Sequence, residues 1–238
     1  MIPKKIHYCW LSADPFPAKI QHCIDSWHRL LPDYEIVLWD KQRFPLEQYV
    51  WAQEAYDAKK YAFAADLIRL YAVYNEGGIY LDSDVEVLKR FDNLLHLPYF
   101  IGKEGFDNRV EVAAFGAEKG TLWVKKCLDY YEGRHFVKEN GELDTTVMPD
   151  IVQSILSSNY TIKSIDDITD FENKNDCFYE FPNDWFCANV HLHPQDMDPT
   201  YIISKRTFCV HHFANSWIKV NKIKLLFKRL LVKLGILK

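Results

Sequence analysis

The chain has no run of 18 uninterrupted apolar residues, so nothing in it reads as a transmembrane helix. It has no C-x-x-C pair either. Cys9, Cys23, Cys127, Cys177, Cys187 and Cys209 are scattered, which fits free thiols in a reducing cytosol better than a disulfide framework or a thiolate zinc site. No apolar stretch follows the charged opening Met1-Ile2-Pro3-Lys4-Lys5, so no secretory signal is expected. Internal repeats and low-complexity tracts are absent. At 48% hydrophobic and 26% charged residues, the composition excludes disorder and fibrous repeats. What remains is a 238-residue globular chain, long enough for one large domain or one domain with a small attachment.

The net charge of −4 conceals an asymmetry. Residues 218–238 hold seven Lys or Arg and no acid, which leaves 22 basic against 33 acidic residues, or −11, over 1–217. A body this acidic is a poor nucleic-acid binder, because phosphate contacts dominate that affinity. Residues 1–217 therefore read as one unit. Residues 218–238 read as a basic amphipathic helix, suited either to an anionic membrane surface or to packing on the acidic body.

The hydrophobic pattern predicts a strand over 2–10, a helix over 18–31 stopped by Pro32, and a second strand over 35–39. Helices follow over 46–60 and 61–75. Gly77-Gly78 closes the latter, and a third strand runs over 79–81. Residues 110–131 read as strand, turn and helix, 145–156 as a helix, 159–198 as loop, and 208–212 as a last strand. Strands separated by helices imply an α/β fold with a mainly parallel sheet, in which ligands bind beyond the carboxyl ends of the strands. Trp10, Asp40 with Gln42 close behind it, and Asp82 with Asp84 all follow strand-like runs.

Three stretches carry chemistry. In Y-A-F-A-A-D-L-I-R-L-Y-A-V-Y (61–74) Asp66 and Arg69 are the only charges on a helix apolar all round, and they share one face. Either they pair within the helix or both reach into a polar ligand pocket, since buried charges need a partner. Asp82-Ser83-Asp84 puts two carboxylates at a strand end, where oxygen ligands can share a hard cation that neutralises a diphosphate. His211-His212-Phe213-Ala214-Asn215-Ser216-Trp217 follows an apolar pair. Imidazole in the shell favours Mn²⁺ over Mg²⁺.

Taken together, residues 61–87, the opening I-P-K-K-I-H-Y-C-W and the closing H-H-F-A-N-S-W resemble the DXD sugar-binding glycosyltransferases of family 32. That family includes capsular enzymes and initiating mannosyltransferases, and the clostridial glucosylating toxins share a similar core. The resemblance implies a GT-A, Rossmann-like fold with a mixed, mainly parallel sheet flanked by helices. It implies a retaining transfer of a hexose from a nucleotide-diphosphate sugar, UDP- before GDP-linked, using Mn²⁺ or Mg²⁺. The acceptor would be a saccharide, lipid-linked at the inner leaflet of the cell membrane, in capsular or surface polysaccharide synthesis by a cytoplasmic, membrane-peripheral enzyme. By the same resemblance, Trp10 stacks on the base, and Asp66, Arg69 and Tyr80 line the donor site. Asp82, Asp84 and His211 (a better match than His212) hold the metal, while Ser216 and Trp217 close over the diphosphate. Asp84, Arg69 and Asp66 would carry catalysis. The loops within 101–117 and 176–198 would choose the sugar.

Two other readings stand beside this one. Leu81-Asp82-Ser83-Asp84-Val85 also fits the D-x-D-x-[TV] opening of haloacid-dehalogenase phosphatases, with Asp82 as nucleophile. A nucleotide-sugar-binding module without turnover is the other.

Overall fold

The computed structural model describes residues 1–105, 109–188 and 201–214. The basic helix expected over 218–238, and Ser216 and Trp217 expected to close over the diphosphate, lie outside the described residues. At the centre is a five-stranded sheet, in spatial order β2 (Glu35–Trp39), β1 (Lys5–Cys9), β3 (Gly78–Leu81), β6 (Arg109–Ala117) and β5 (Tyr99–Glu104). β1 pairs in parallel with β2 and β3, whereas β6 runs against both β3 and β5. Four of the five strands thus point one way. The carboxyl ends of β1, β2, β3 and β5 share one edge with the start of β6.

The sheet separates two apolar cores, as side-chain alternation requires. Helices α2 (Val50–Asp57), α3 (Tyr61–Glu76), α4 (Leu122–Asp129) and α5 (Met148–Asn159) pack against the face carrying Val37, Tyr80 and Phe115. Helix α1 (Ala18–Leu30) covers the opposite face with Ile6, Tyr8, Ile79 and Leu81. Trp27 of α1 donates its indole N–H to the Val85 carbonyl at 2.8 Å, and Ser26 Oγ accepts the Val87 N–H at 2.9 Å. Both bonds fasten β4 (Val85–Val87) to the helix. β4 pairs antiparallel with β9 (Cys209–His211), matching Val85 with His211. All six cysteines are free and buried. Among the described residues, no helix is long and apolar enough to cross a membrane.

The predicted helix over 46–60 is broken. Only α2 is α-helical there, after a single 3-10 turn at Leu46–Gln48, because Tyr49 is extended and its ring stacks on Phe44 at 5.1 Å. The predicted loop over 159–198 holds a parallel pair, β7 (Thr161–Ser164) with β8 (Cys177–Glu180), and the short helix α6 (Asn183–Phe186).

Helix α3 turns straight into β3 through Gly77 and Gly78, at φ +68° and +115°. A Cβ on Gly78 would meet the Lys5 carbonyl oxygen at 2.8 Å, and one on Gly77 the Lys119 nitrogen at 2.8 Å. The turn is locked by His7. It accepts the Trp39 indole N–H on Nδ1 at 3.0 Å, which leaves Nε2 as the donor to the Gly77 carbonyl at 2.8 Å. Burial holds the His7 pKa below its usual value, consistent with this neutral tautomer. Gly78→Ala is expected to destabilise the fold by about 3 kcal/mol, from a forbidden φ plus a backbone clash. A urea titration checks this: a lower midpoint at unchanged m is expected, and a loss below about 1 kcal/mol would contradict it.

Candidate active site

The abrupt α3–β3 turn sets the site. Helix α3 turns straight back into β3, so Asp66 and Arg69, around the middle of the helix, stand beside Asp82 just past the strand's end. Arg69 is 5% exposed and Asp66 7%, so their charges need compensation on the spot. Arg69 Nη2 lies 3.0 Å from Asp66 Oδ1 and 3.3 Å from Asp82 Oδ1, while Nη1 donates to the Val112 carbonyl at 2.9 Å. The guanidinium carbon sits 4.8 Å from the centre of the Tyr80 ring. Tyr80 in turn donates its hydroxyl to Asp82 Oδ1 at 2.8 Å. The intrahelical pair expected from the sequence is present, and Arg69 extends it to the D-x-D carboxylate. Burial pushes the Asp66 carboxyl up to about 7, with Arg69 pulling the other way. Burial also raises Asp82, again opposed by Arg69.

The backbone shapes Asp82-Ser83-Asp84 as a turn, with the Val85 N–H bonding the Asp82 carbonyl at 2.9 Å and the Asp82 N–H bonding the Ala113 carbonyl of β6 at 2.8 Å. The β4–β9 register then brings His211 over the turn. His211 Nε2 lies 3.6 Å from Asp84 Oδ1, wider than a hydrogen bond. Its Nδ1 lies 3.4 Å from Glu111 Oε2. Asp84 Oδ2 accepts the Ala214 N–H at 2.7 Å, and Phe213 (φ +44°) stacks on the His211 ring at 3.8 Å. Burial alone would lower the His211 pKa. The carboxylates of Glu111 and Asp84 on either side overcome it and hold the ring's pKa up at about 10.

Ligand atoms of Asp82, Asp84 and His211 all lie within 4.8 Å of one another. Two carboxylates and an imidazole in that space suit one hard-to-borderline divalent cation. His212 points elsewhere, its Nε2 3.0 Å from Glu86 Oε2 and its Nδ1 2.8 Å from the Tyr201 hydroxyl. Adjacent residues on a strand face opposite ways, so the register selects His211.

The other sequence candidates are more dispersed. Trp10 leaves the end of β1 half-buried, its indole N–H on the Asp14 carbonyl at 2.9 Å and its ring edge-on to Phe16. Asp40 is committed to its own turn, accepting the Gln42 and Arg43 N–H groups at 2.9 Å each, and Gln42 is exposed. The sequence reading passed over Glu111, Glu104 and Arg109 on the β5–β6 pair. Glu111 is 1% exposed and Glu104 8%, and Arg109 Nη2 lies 2.8 Å from Glu104 Oε2. Burial and the neighbouring Glu111 push the Glu104 carboxyl up to about 7. The missed signal was a lone acid inside an otherwise apolar strand, Val110-Glu111-Val112.

Comparison with known proteins agrees with this geometry. Residues 17–101, which contain α3 and the whole D-x-D turn, match a family described as a glycosyltransferase sugar-binding region containing a DXD motif. Inositol phosphoceramide mannosyltransferase 3 of Schizosaccharomyces pombe is 38% identical over 116 residues, covering 46% of this chain and 32% of its own. Mannosyl phosphorylinositol ceramide synthase SUR1 of Saccharomyces cerevisiae is 33% identical over 147 residues, covering 58% and 37%. The chain thus spans about a third of the length of these curated relatives. Among solved structures, PaToxG glycosyltransferase aligns over 66% of this chain and 68% of its own, at 22% identity and a TM-score of 0.49. The D-x-D turn at the carboxyl edge of the sheet lies inside the stretch, residues 17–101, that is similar to the DXD-containing sugar-binding region of glycosyltransferases.

Proposed function

We propose that this protein transfers a hexose, with retention, from a nucleotide-diphosphate sugar to a saccharide acceptor carried on a lipid. The convergence of Asp82, Asp84 and His211 beside the buried Arg69 carries the reading. A divalent cation on those ligands would neutralise the departing diphosphate, an effect worth roughly several kcal/mol. The chain's own residues do the rest. Arg69 and Tyr80 fix the Asp82 carboxylate, so it presents oxygen without rotating. The Trp10 ring, at the end of β1, offers a face to a planar base. The acceptor hydroxyl attacks from the side the diphosphate leaves, and its proton passes to the leaving phosphate oxygen.

A lipid acceptor is supported by two relatives, one named an inositol phosphoceramide mannosyltransferase and the other a mannosyl phosphorylinositol ceramide synthase. The basic residues 218–238 support work near an anionic leaflet. The phosphatase reading has less support, because the Asp82 oxygens are already engaged by Tyr80 and Arg69.

A thermal-shift screen of UDP- and GDP-sugars, with and without Mn²⁺, tests the proposal. A ligand bound only by the native state raises the melting temperature by mass action, so a donor reveals itself without its acceptor. Stabilisation by one nucleotide class that requires Mn²⁺ is expected. Silence towards every nucleotide, with phosphate released from an aryl phosphate, would overturn the proposal in favour of a phosphatase. Binding without hydrolysis or transfer to any acceptor would leave a non-catalytic module.

A further inference from the structure

We infer that Glu111 is a positioning residue for the metal site, acting through His211; the inference rests on the metal-binding reading above. Glu111 lies in β6, away from the D-x-D turn in sequence, and buries a full carboxylate at 1% exposure. Each of its oxygens has an identified task. Oε1 accepts the Ala113 N–H at 2.8 Å, which pins the carboxylate to its own strand. Oε2 faces His211 Nδ1 at 3.4 Å. With a cation bound, that carboxylate acceptor would keep the proton on Nδ1 and leave Nε2, 3.6 Å from Asp84 Oδ1 and clustered with Asp82, as the ligating nitrogen. A histidine that ligates a metal through one nitrogen commonly donates from the other to a carboxylate, which sets its tautomer and raises its basicity as a ligand. The stacked Phe213 ring fixes the imidazole plane from the side.

Burying this carboxylate carries a large desolvation penalty that core packing would not require. Ala113, which shares the face of Glu111 two residues further along the strand, is packed in the apolar core on the α1 side. The acid therefore has a use: besides the Ala113 N–H and the Cys187 thiol, the side chain it faces is His211.

The test measures Mn²⁺ affinity alone, from the free-ion signal in electron paramagnetic resonance, on the full chain without nucleotide. Glu111→Gln keeps the shape and an acceptor for Ala113 but removes the charge from Nδ1. Its Kd for Mn²⁺ is expected to rise about 10- to 100-fold. In a His211→Ala background the same change is expected to alter Kd by less than about twofold, because the effect passes through the imidazole. An equal loss in both backgrounds would reduce Glu111 to a structural residue and overturn the inference, as would a Kd within about threefold of wild type. If Glu111→Gln does not fold, Glu111→Asp serves, its shorter reach giving the same coupling to His211. Asp84→Ala separates the two levels. If Asp84→Ala binds Mn²⁺ as wild type does, the metal reading itself fails; if it loses the ion while Glu111→Gln does not, only the role of Glu111 fails.

Discussion

Replacing Asp84 by alanine is expected to lower Mn²⁺-dependent donor turnover by at least about 10³-fold, equivalent to roughly 4 kcal/mol of transition-state stabilisation. The size follows from geometry: Asp84 faces His211 across the ligand cluster, and no other carboxylate replaces it there among the described residues. Alanine also removes the acceptor for the Ala214 N–H, so the loss would mix metal chemistry with the anchoring of the chain beyond β9. Asp84→Asn separates the two. An amide oxygen still accepts the Ala214 N–H but is a neutral, weaker ligand for a hard cation. The asparagine variant should keep a melting temperature close to wild type and still lose most of the turnover. Turnover within tenfold of wild type in both variants would show that the cluster is not the metal site. Steady-state kinetics at saturating Mn²⁺, paired with thermal melts, read both quantities.

The second large effect concerns Arg69. Removing its guanidinium leaves Asp66 and Asp82 facing each other in a buried setting with no cation between them. Breaking a buried ion pair by deleting one partner typically costs about 3–5 kcal/mol. Arg69→Ala should therefore shift the urea midpoint strongly at pH 7, and the deficit should shrink in an Asp66→Asn, Arg69→Ala double variant, which carries one fewer stranded charge. Arg69→Lys is not a conservative change here. One ammonium cannot span Asp66, Asp82 and the Val112 carbonyl as the planar fork does, so most of the stability loss should persist. A midpoint unchanged in Arg69→Ala would mean that the two carboxylates are not held by this residue.

Much of the site could be read in the sequence, and the reason is local. Asp66, Arg69, Tyr80, Asp82 and Asp84 lie within one helix–turn–strand unit, where spacing alone fixes which side chains share a face. The glycine pair at 77–78 marks that unit's turn, because the backbone there adopts angles that other residues resist. Long-range pairing was not legible. Whether His211 or His212 faces the carboxylates depends on which residue of β9 stands opposite Val85, a register no local pattern encodes. Glu111 was missed for the same reason: it acquires a role only once β6 pairs with β3 and β9 folds over both. The break at Tyr49 was invisible because ring packing against Phe44, not helix propensity, decides it. The strands β7 and β8 were hidden because β7, Thr161–Ser164, is short, mostly polar and exposed, and its partner lies thirteen residues further on.

The cluster of Asp82, Asp84 and His211 is tied together across up to 130 positions, through the bond from Ala214 to Asp84. That separation has a consequence for biosynthesis. A chain emerging from the ribosome presents Asp82 and Asp84 long before β9 exists, so the early chain carries an acidic turn with no imidazole opposite it. The cluster is complete only when β9 has been made and has paired with β4. Its assembly thus comes late and all at once in synthesis, and a chain that stops short of β9 lacks His211.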